Sequence, residues 1–119
     1  MARDAGDRSG EAHWLRLTGA TFQIRGNIAQ AREYYEKSLS IRRELDQRPD
    51  MVVLTTGIGI ASLNLRDYGT SRRYLEEAAR LAAGLKQPAG EGRAWQSLGQ
   101  LEKVQQHYPE SIAAFTTAV

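Results

Sequence analysis

The chain has no cysteine, three prolines and two histidines, and only one uncharged run of any length. Without cysteine there are no disulfides, thiolate metal sites, iron–sulfur clusters or cysteine nucleophiles, and a reducing compartment fits, so the cytoplasm is the expected location. His13 and His107 stand far apart with no cluster of Asp or Glu at ligand spacing, so no metal site is expected. Charge of one sign is also scarce. Sixteen Lys and Arg against fourteen Asp and Glu leave a formal +2, too even a balance to point to nucleic acid. The longest uncharged run, Met51 to Leu65, includes Thr55, Thr56, Gly57, Gly59, Ser62 and Asn64. It is too short and too polar for a membrane span. No apolar stretch follows Met1, so a signal peptide is not expected.

Candidate chemistry is equally thin. Gly57-Ile58-Gly59 has the look of a nucleotide loop, but the third glycine and a following Gly-Lys-Ser/Thr are missing and no strand is expected before it. Serines, histidines and acids form no known nucleophile arrangement, and no spacing suggests a buried carboxylate pair. Neither catalysis nor a cofactor is expected.

What is present is one domain's length, 119 residues, with 41% hydrophobic and 25% charged side chains, enough for a packed core. The sequence also repeats with a period of 40. Gly19, Gly59 and Gly99 are spaced by 40, and so are Tyr35, Leu75 and Phe115 at one large position. Ala31, Ser71 and Ser111, and Ser38, Ala78 and Ala118, mark two small positions at the same interval. Within each unit the apolar residues recur at helical spacing in two segments, broken at Gly26-Asn27, Arg66-Asp67 and Gln106-His107. Each unit therefore reads as a helical hairpin. First helices are expected near 11–25, 51–65 and 91–105, and second helices near 28–45, 68–84 and 108–119.

Local signals agree. Gly26 suits a left-handed helix end, Asn27 with Gln30 suits a capping box, and Asp67 is the corresponding cap. Pro109 falls in a first helical turn, while Pro49 and Pro88 are expected between units. Arg32 with Glu36, Glu33 with Lys37, Arg72 with Glu76 and Arg73 with Glu77 are expected as ion pairs on a solvated outer face. The β-branched stretch Met51 to Ile60 has strand propensity, but its place in the repeat is that of a covered central helix.

On these residues the chain resembles the tetratricopeptide repeat. The third unit has Trp95, Leu98 and Gly99, then Ser111, Phe115 and Ala118; the first has Leu15, Gly19, Phe22, Ala31, Tyr35 and Ser38; the second keeps Ile58, Gly59, Leu75 and Ala78, with Ser62 where an aromatic is usual. The usual period is about 34. The period of 40 here is similar to the variety found in large bacterial regulators and animal spindle-orientation adaptors. The pattern is a packing code: small residues let helices approach and large ones fill the space between them. The resemblance implies an all-α, right-handed superhelical solenoid of three antiparallel helix-turn-helix repeats at 11–50, 51–90 and 91–119. Residues 1–10 are expected as the tail of a preceding repeat or as disordered.

The resemblance also implies a protein- or peptide-binding scaffold, a regulatory or adaptor segment of a larger protein, with first helices lining a concave groove. Its side chains would be His13, Arg16, Ala20 and Gln23, then Val53, Thr56, Ile60, Leu63 and Asn64, then Arg93, Gln96, Gln100 and Lys103. The asparagine that some relatives use to grip peptide backbone is replaced by Ala20, Ile60 and Gln100. No acid stands among the groove residues, so the expected ligand is a peptide or amphipathic helix with an apolar middle and acidic flanks. The second reading is a structural module that self-associates through uncapped ends, without a separate ligand.

Overall fold

A computed structural model describes residues 5–107 of the chain, and side chains from 6 to 106. These residues form five helices in sequence: α1 (Ala5–Ile24), α2 (Ile28–Glu44), α3 (Arg48–Asn64), α4 (Tyr68–Gly84) and α5 (Pro88–His107). No strand occurs among the described residues, and the β-branched stretch is the interior of α3. The molecule is an all-α helical-repeat solenoid. The expected second helix at 108–119, with Pro109, lies outside the described residues.

Three sequence expectations change. Residues 5–10 belong to α1, which runs unbroken to Ile24, instead of forming a separate tail. Pro49 and Pro88 are not linker residues: Pro49 sits in the first turn of α3 and Pro88 opens α5, where a missing N–H costs nothing. Asn27 and Asp67 do occupy N-cap positions, yet neither side chain makes a capping hydrogen bond.

Helices α1 to α4 instead all end the same way. Gly26, Asp46, Arg66 and Lys86 take positive φ of 84°, 51°, 62° and 56°. The next residue then donates its N–H five residues back: Asn27 to Phe22, Gln47 to Arg42, Asp67 to Ser62 and Gln87 to Ala82, at 2.8–2.9 Å. These four Schellman-type closures reverse the chain within three residues and satisfy carbonyls that the helix ends would leave open.

Helix α3 is covered on most sides, which is why its sequence lacks a polar face. Leu54 and Ile58 are buried with Ala31, Tyr35, Leu39 and Met51, and Phe22, Tyr74 and Leu81 pack at the edge. Each such buried Leu or Ile contributes about 1.5–3 kcal/mol. Leu75, Leu98 and Leu101 form the next apolar layer, beside Ala78, Ala79 and Ala94. The threonines in α3 are buried without loss because their hydroxyls turn back onto the helix, Thr55 to the Met51 carbonyl at 2.7 Å and Thr56 to that of Val52 at 2.8 Å.

The repeated glycines allow close crossing. A Cβ on Gly19 would lie 2.8 Å from the Tyr35 ring, and one on Gly59 would lie 2.5 Å from Leu75 Cγ. At the second crossing the Ser71 hydroxyl donates to the Gly59 carbonyl at 2.7 Å.

The expected ion pairs along single helices give way to pairs between helices. Arg32 reaches Ser62 and Asp67 at 3.1 and 3.0 Å. Forty residues on, Arg72 reaches Gln105 at 2.9 Å and Glu102 at 3.8 Å. Arg43, rather than Arg73, forms a two-point pair with Glu77 at 2.5 and 2.9 Å, and Lys37 lies over the Tyr34 ring at 4.9 Å. These arginines bolt neighbouring helices together.

Candidate binding groove

Helices α1, α3 and α5 share one side of the array, and where they meet there is a depression of about 240 Å³. Val52, Val53, Leu54, Gly57 and Ile60 of α3 supply its apolar floor. Arg16 and Gln23 of α1 border it on one side, and Gln87, Gly90 and Arg93 at the start of α5 border it on the other. No Asp or Glu lines it, and neither Arg16 nor Arg93 has an ion-pair partner among the described residues. The two guanidinium groups thus flank an apolar floor with their charge uncompensated.

Of the side chains expected in the groove, Arg16, Gln23, Val53, Thr56, Ile60 and Arg93 line this depression. Thr56 is buried with its hydroxyl committed to Val52, so it offers little to a ligand. His13, Asn64, Gln96, Gln100 and Lys103 are exposed on the same three helices but lie outside it. Ala20 is half-buried. Leu63 is a correction: it packs against the Leu75, Leu98 and Leu101 layer instead of facing the groove.

The sequence reading missed Tyr35. It sits on a second helix, yet its ring slides past Gly19 and its hydroxyl donates to Gln23 Oε1 at 2.6 Å in the groove wall. Burial pushes the Tyr35 hydroxyl pKa above its ordinary value, and the nearby positive charge of Arg16 partly opposes this. The available signal was that Tyr35 alone carries a polar tip among the aligned large residues Tyr35, Leu75 and Phe115.

The described residues contain no group of three His, Asp or Glu able to hold a metal, and no helix long and apolar enough to cross a membrane. No curated protein matches the chain in sequence. The family model for the tetratricopeptide repeat matches residues 19–45, which run from the Gly19 crossing in α1 to the end of α2. That span holds Phe22, Ala31 and Tyr35, whose packing was traced above, and Ser38, whose buried hydroxyl donates to the Ala12 carbonyl at 2.6 Å. Residues 19–45 therefore match a tetratricopeptide repeat, a repeat that generally mediates protein–protein interaction, here within an all-helical array.

Proposed function

We propose that the chain is a protein-binding scaffold whose first helices hold a peptide or helix with an apolar core and acidic flanks. The observation that carries this reading is the pairing of an apolar floor with two unpaired arginines on opposite walls. An apolar anchor is desolvated against Val53 and Ile60, while carboxylates on either side meet Arg16 and Arg93. Arginine suits this task, since its planar fork takes a carboxylate through two parallel hydrogen bonds. The shallow floor fits side chains from an extended or helical peptide better than an enclosed small molecule. As a segment of a larger regulatory or adaptor protein, such a groove supplies recognition and leaves chemistry to others.

The test is selection from a displayed peptide library against the chain and against the Arg16→Glu, Arg93→Glu double variant. Peptides enriched on the unaltered chain should carry Asp or Glu on both sides of a large apolar residue, and should lose at least about tenfold in affinity on the double variant. Enriched peptides without acidic flanks, or with equal affinity for both proteins, would refute the reading.

A further inference from the structure

Helix packing does not account for Gly57. It stands in the interior of α3, where a glycine costs backbone entropy, and the repeat does not call for it, since the positions 40 residues before and after are Leu17 and Ser97. A Cβ on Gly19 or Gly59 would come within 2.8 Å of a neighbouring side chain, so those crossings need glycine. A Cβ on Gly57 would meet, within 4 Å, only Tyr35 Cδ2 and Cε2, both at 3.8 Å. What the missing side chain changes is the groove. Val53, Gly57 and Ile60 fall at i, i+4 and i+7 on the face of α3 that floors it, so Gly57 is a gap in a row of side chains. Through that gap the depression reaches Tyr35, which lines it although only 7% exposed. The ring is held from the other side: its Cδ1 and Cε1 edge abuts Gly19, and its hydroxyl is fixed on Gln23 Oε1 at 2.6 Å.

We propose that Gly57 is the specificity-determining position of the groove, and that the space over its backbone takes one aromatic side chain of the bound peptide. The inference rests on the reading of the groove as a peptide site and adds what its apolar anchor is. The depression, about 240 Å³, is smaller than the roughly 300–1,000 Å³ of pockets that enclose a small molecule, and suits a single large side chain. The Cδ2 and Cε2 edge of Tyr35 is turned toward the gap. An aromatic edge carries partial positive charge, so it favours the negative face of a second ring over an aliphatic chain, in an edge-to-face pair with centroids about 4.5–7 Å apart. Bare backbone at Gly57 lets that ring come close. A methyl there would occupy the place the ring needs, while the helix would gain from it. The chain gives up helix stability at this position and gains room in the groove.

Selection from a displayed peptide library, run on the unaltered chain and on Gly57→Ala and Gly57→Leu, tests this. Peptides enriched on the unaltered chain should carry Phe, Tyr or Trp as the apolar residue. The strongest of them, made as a free peptide, should bind Gly57→Ala at least about tenfold more weakly, and Gly57→Leu more weakly still. Replacing its aromatic residue by Leu should cost affinity on the unaltered chain and little on Gly57→Leu. The loss must come without loss of fold, so Gly57→Ala should melt at or above the unaltered chain. Gly69→Ala in α4, outside the groove and with nothing within 4 Å of the added methyl, should bind like the unaltered chain. Aliphatic anchors enriched as often as aromatic ones, an aromatic peptide that binds the Gly57 variants undiminished, or a Gly57→Ala chain that melts lower would each overturn the inference. If the enriched peptides still lose affinity on the Arg16→Glu, Arg93→Glu variant, the groove reading stands and only the role of Gly57 falls. An aromatic preference that is lost at Gly57 in peptides without acidic flanks would do the reverse, and no enrichment on any variant would remove both.

Discussion

Gly57 and Gly59 stand two residues apart in α3, and the same substitution at each should change stability in opposite directions. Alanine in place of a helix-interior glycine contributes about 0.8–1 kcal/mol through backbone entropy alone. At Gly57 the added methyl would meet nothing nearer than the Tyr35 ring at 3.8 Å, an ordinary contact, so Gly57→Ala should stabilise by about 0.5–1 kcal/mol. At Gly59 the methyl would fall 2.5 Å from Leu75 Cγ and 2.6 Å from its Cδ2. Leu75 has no exposed surface and packs against Leu98 and Leu101, so the displacement spreads into α4 and α5. Overpacking of this kind costs about 1–3 kcal/mol. Pushing α4 back also stretches the hydrogen bond from Ser71 to the Gly59 carbonyl, which is worth about 1 kcal/mol. The net result for Gly59→Ala is a loss of about 1–3 kcal/mol, and the two variants should melt several degrees apart, with the starting protein between them. Thermal unfolding followed by far-ultraviolet circular dichroism reads this directly. In a Leu75→Ala background the penalty at Gly59 should vanish, because the space it needs has been opened. A Gly59→Ala protein that melts above the starting protein, as Gly57→Ala should, would refute the close-crossing account of this repeat.

Two further outcomes are expected. Lys86 holds a positive φ that favours glycine, so Lys86→Gly should stabilise by about 1 kcal/mol in urea unfolding, whereas Gly26→Ala should destabilise by a similar amount; equal signs for the two would contradict the link geometry. The Arg32 guanidinium, and after it the Thr70 hydroxyl, hold the Asp67 carboxyl below the 3.8 of an ordinary aspartate. A lowered folded-state pKa adds stability that is complete above the unfolded value and is lost as pH falls through the folded one. The melting-temperature advantage over Asp67→Asn should therefore persist from neutrality down to the ordinary aspartate range and shrink below it. An advantage that grew on acidification would contradict the Arg32–Asp67 pairing.

The forty-residue register was sufficient to place the helices, including α3, where local propensity pointed to a strand. Spacing counts which residues recur, and tertiary cover overrides the preference of Val52, Val53 and Ile58 for extended backbone. Partners across helices were not legible in the same way. Arg32 is four residues from Glu36, and sequence proximity favoured that pair; the actual partner, Asp67, lies 35 residues on and becomes visible only when α2 and α3 are laid side by side. The groove shows the same division. Arg16, Ile60 and Arg93 follow from helix phase, while Leu63 turns inward and Tyr35 enters from a second helix because Gly19 leaves it a passage. The C-terminal ends of α1 to α4 were placed to within one residue, for a partly mistaken reason, since the closing turn of each, more than the cap of the next helix, reverses the chain. Helices α1, α3 and α5 start three to six residues earlier than the sequence suggested.

The four matching reversals reach beyond stability. Gly26, Asp46, Arg66 and Lys86 stand 20 residues apart, and α2, α3 and α4 are each 17 residues long, so the bend inside a hairpin and the bend between hairpins are the same joint. A chain assembled from interchangeable joints has no privileged seam. Copying or deleting a block of forty residues would leave every helix and joint in its old register, so gene duplication could lengthen or shorten such a rod without disturbing the way it turns.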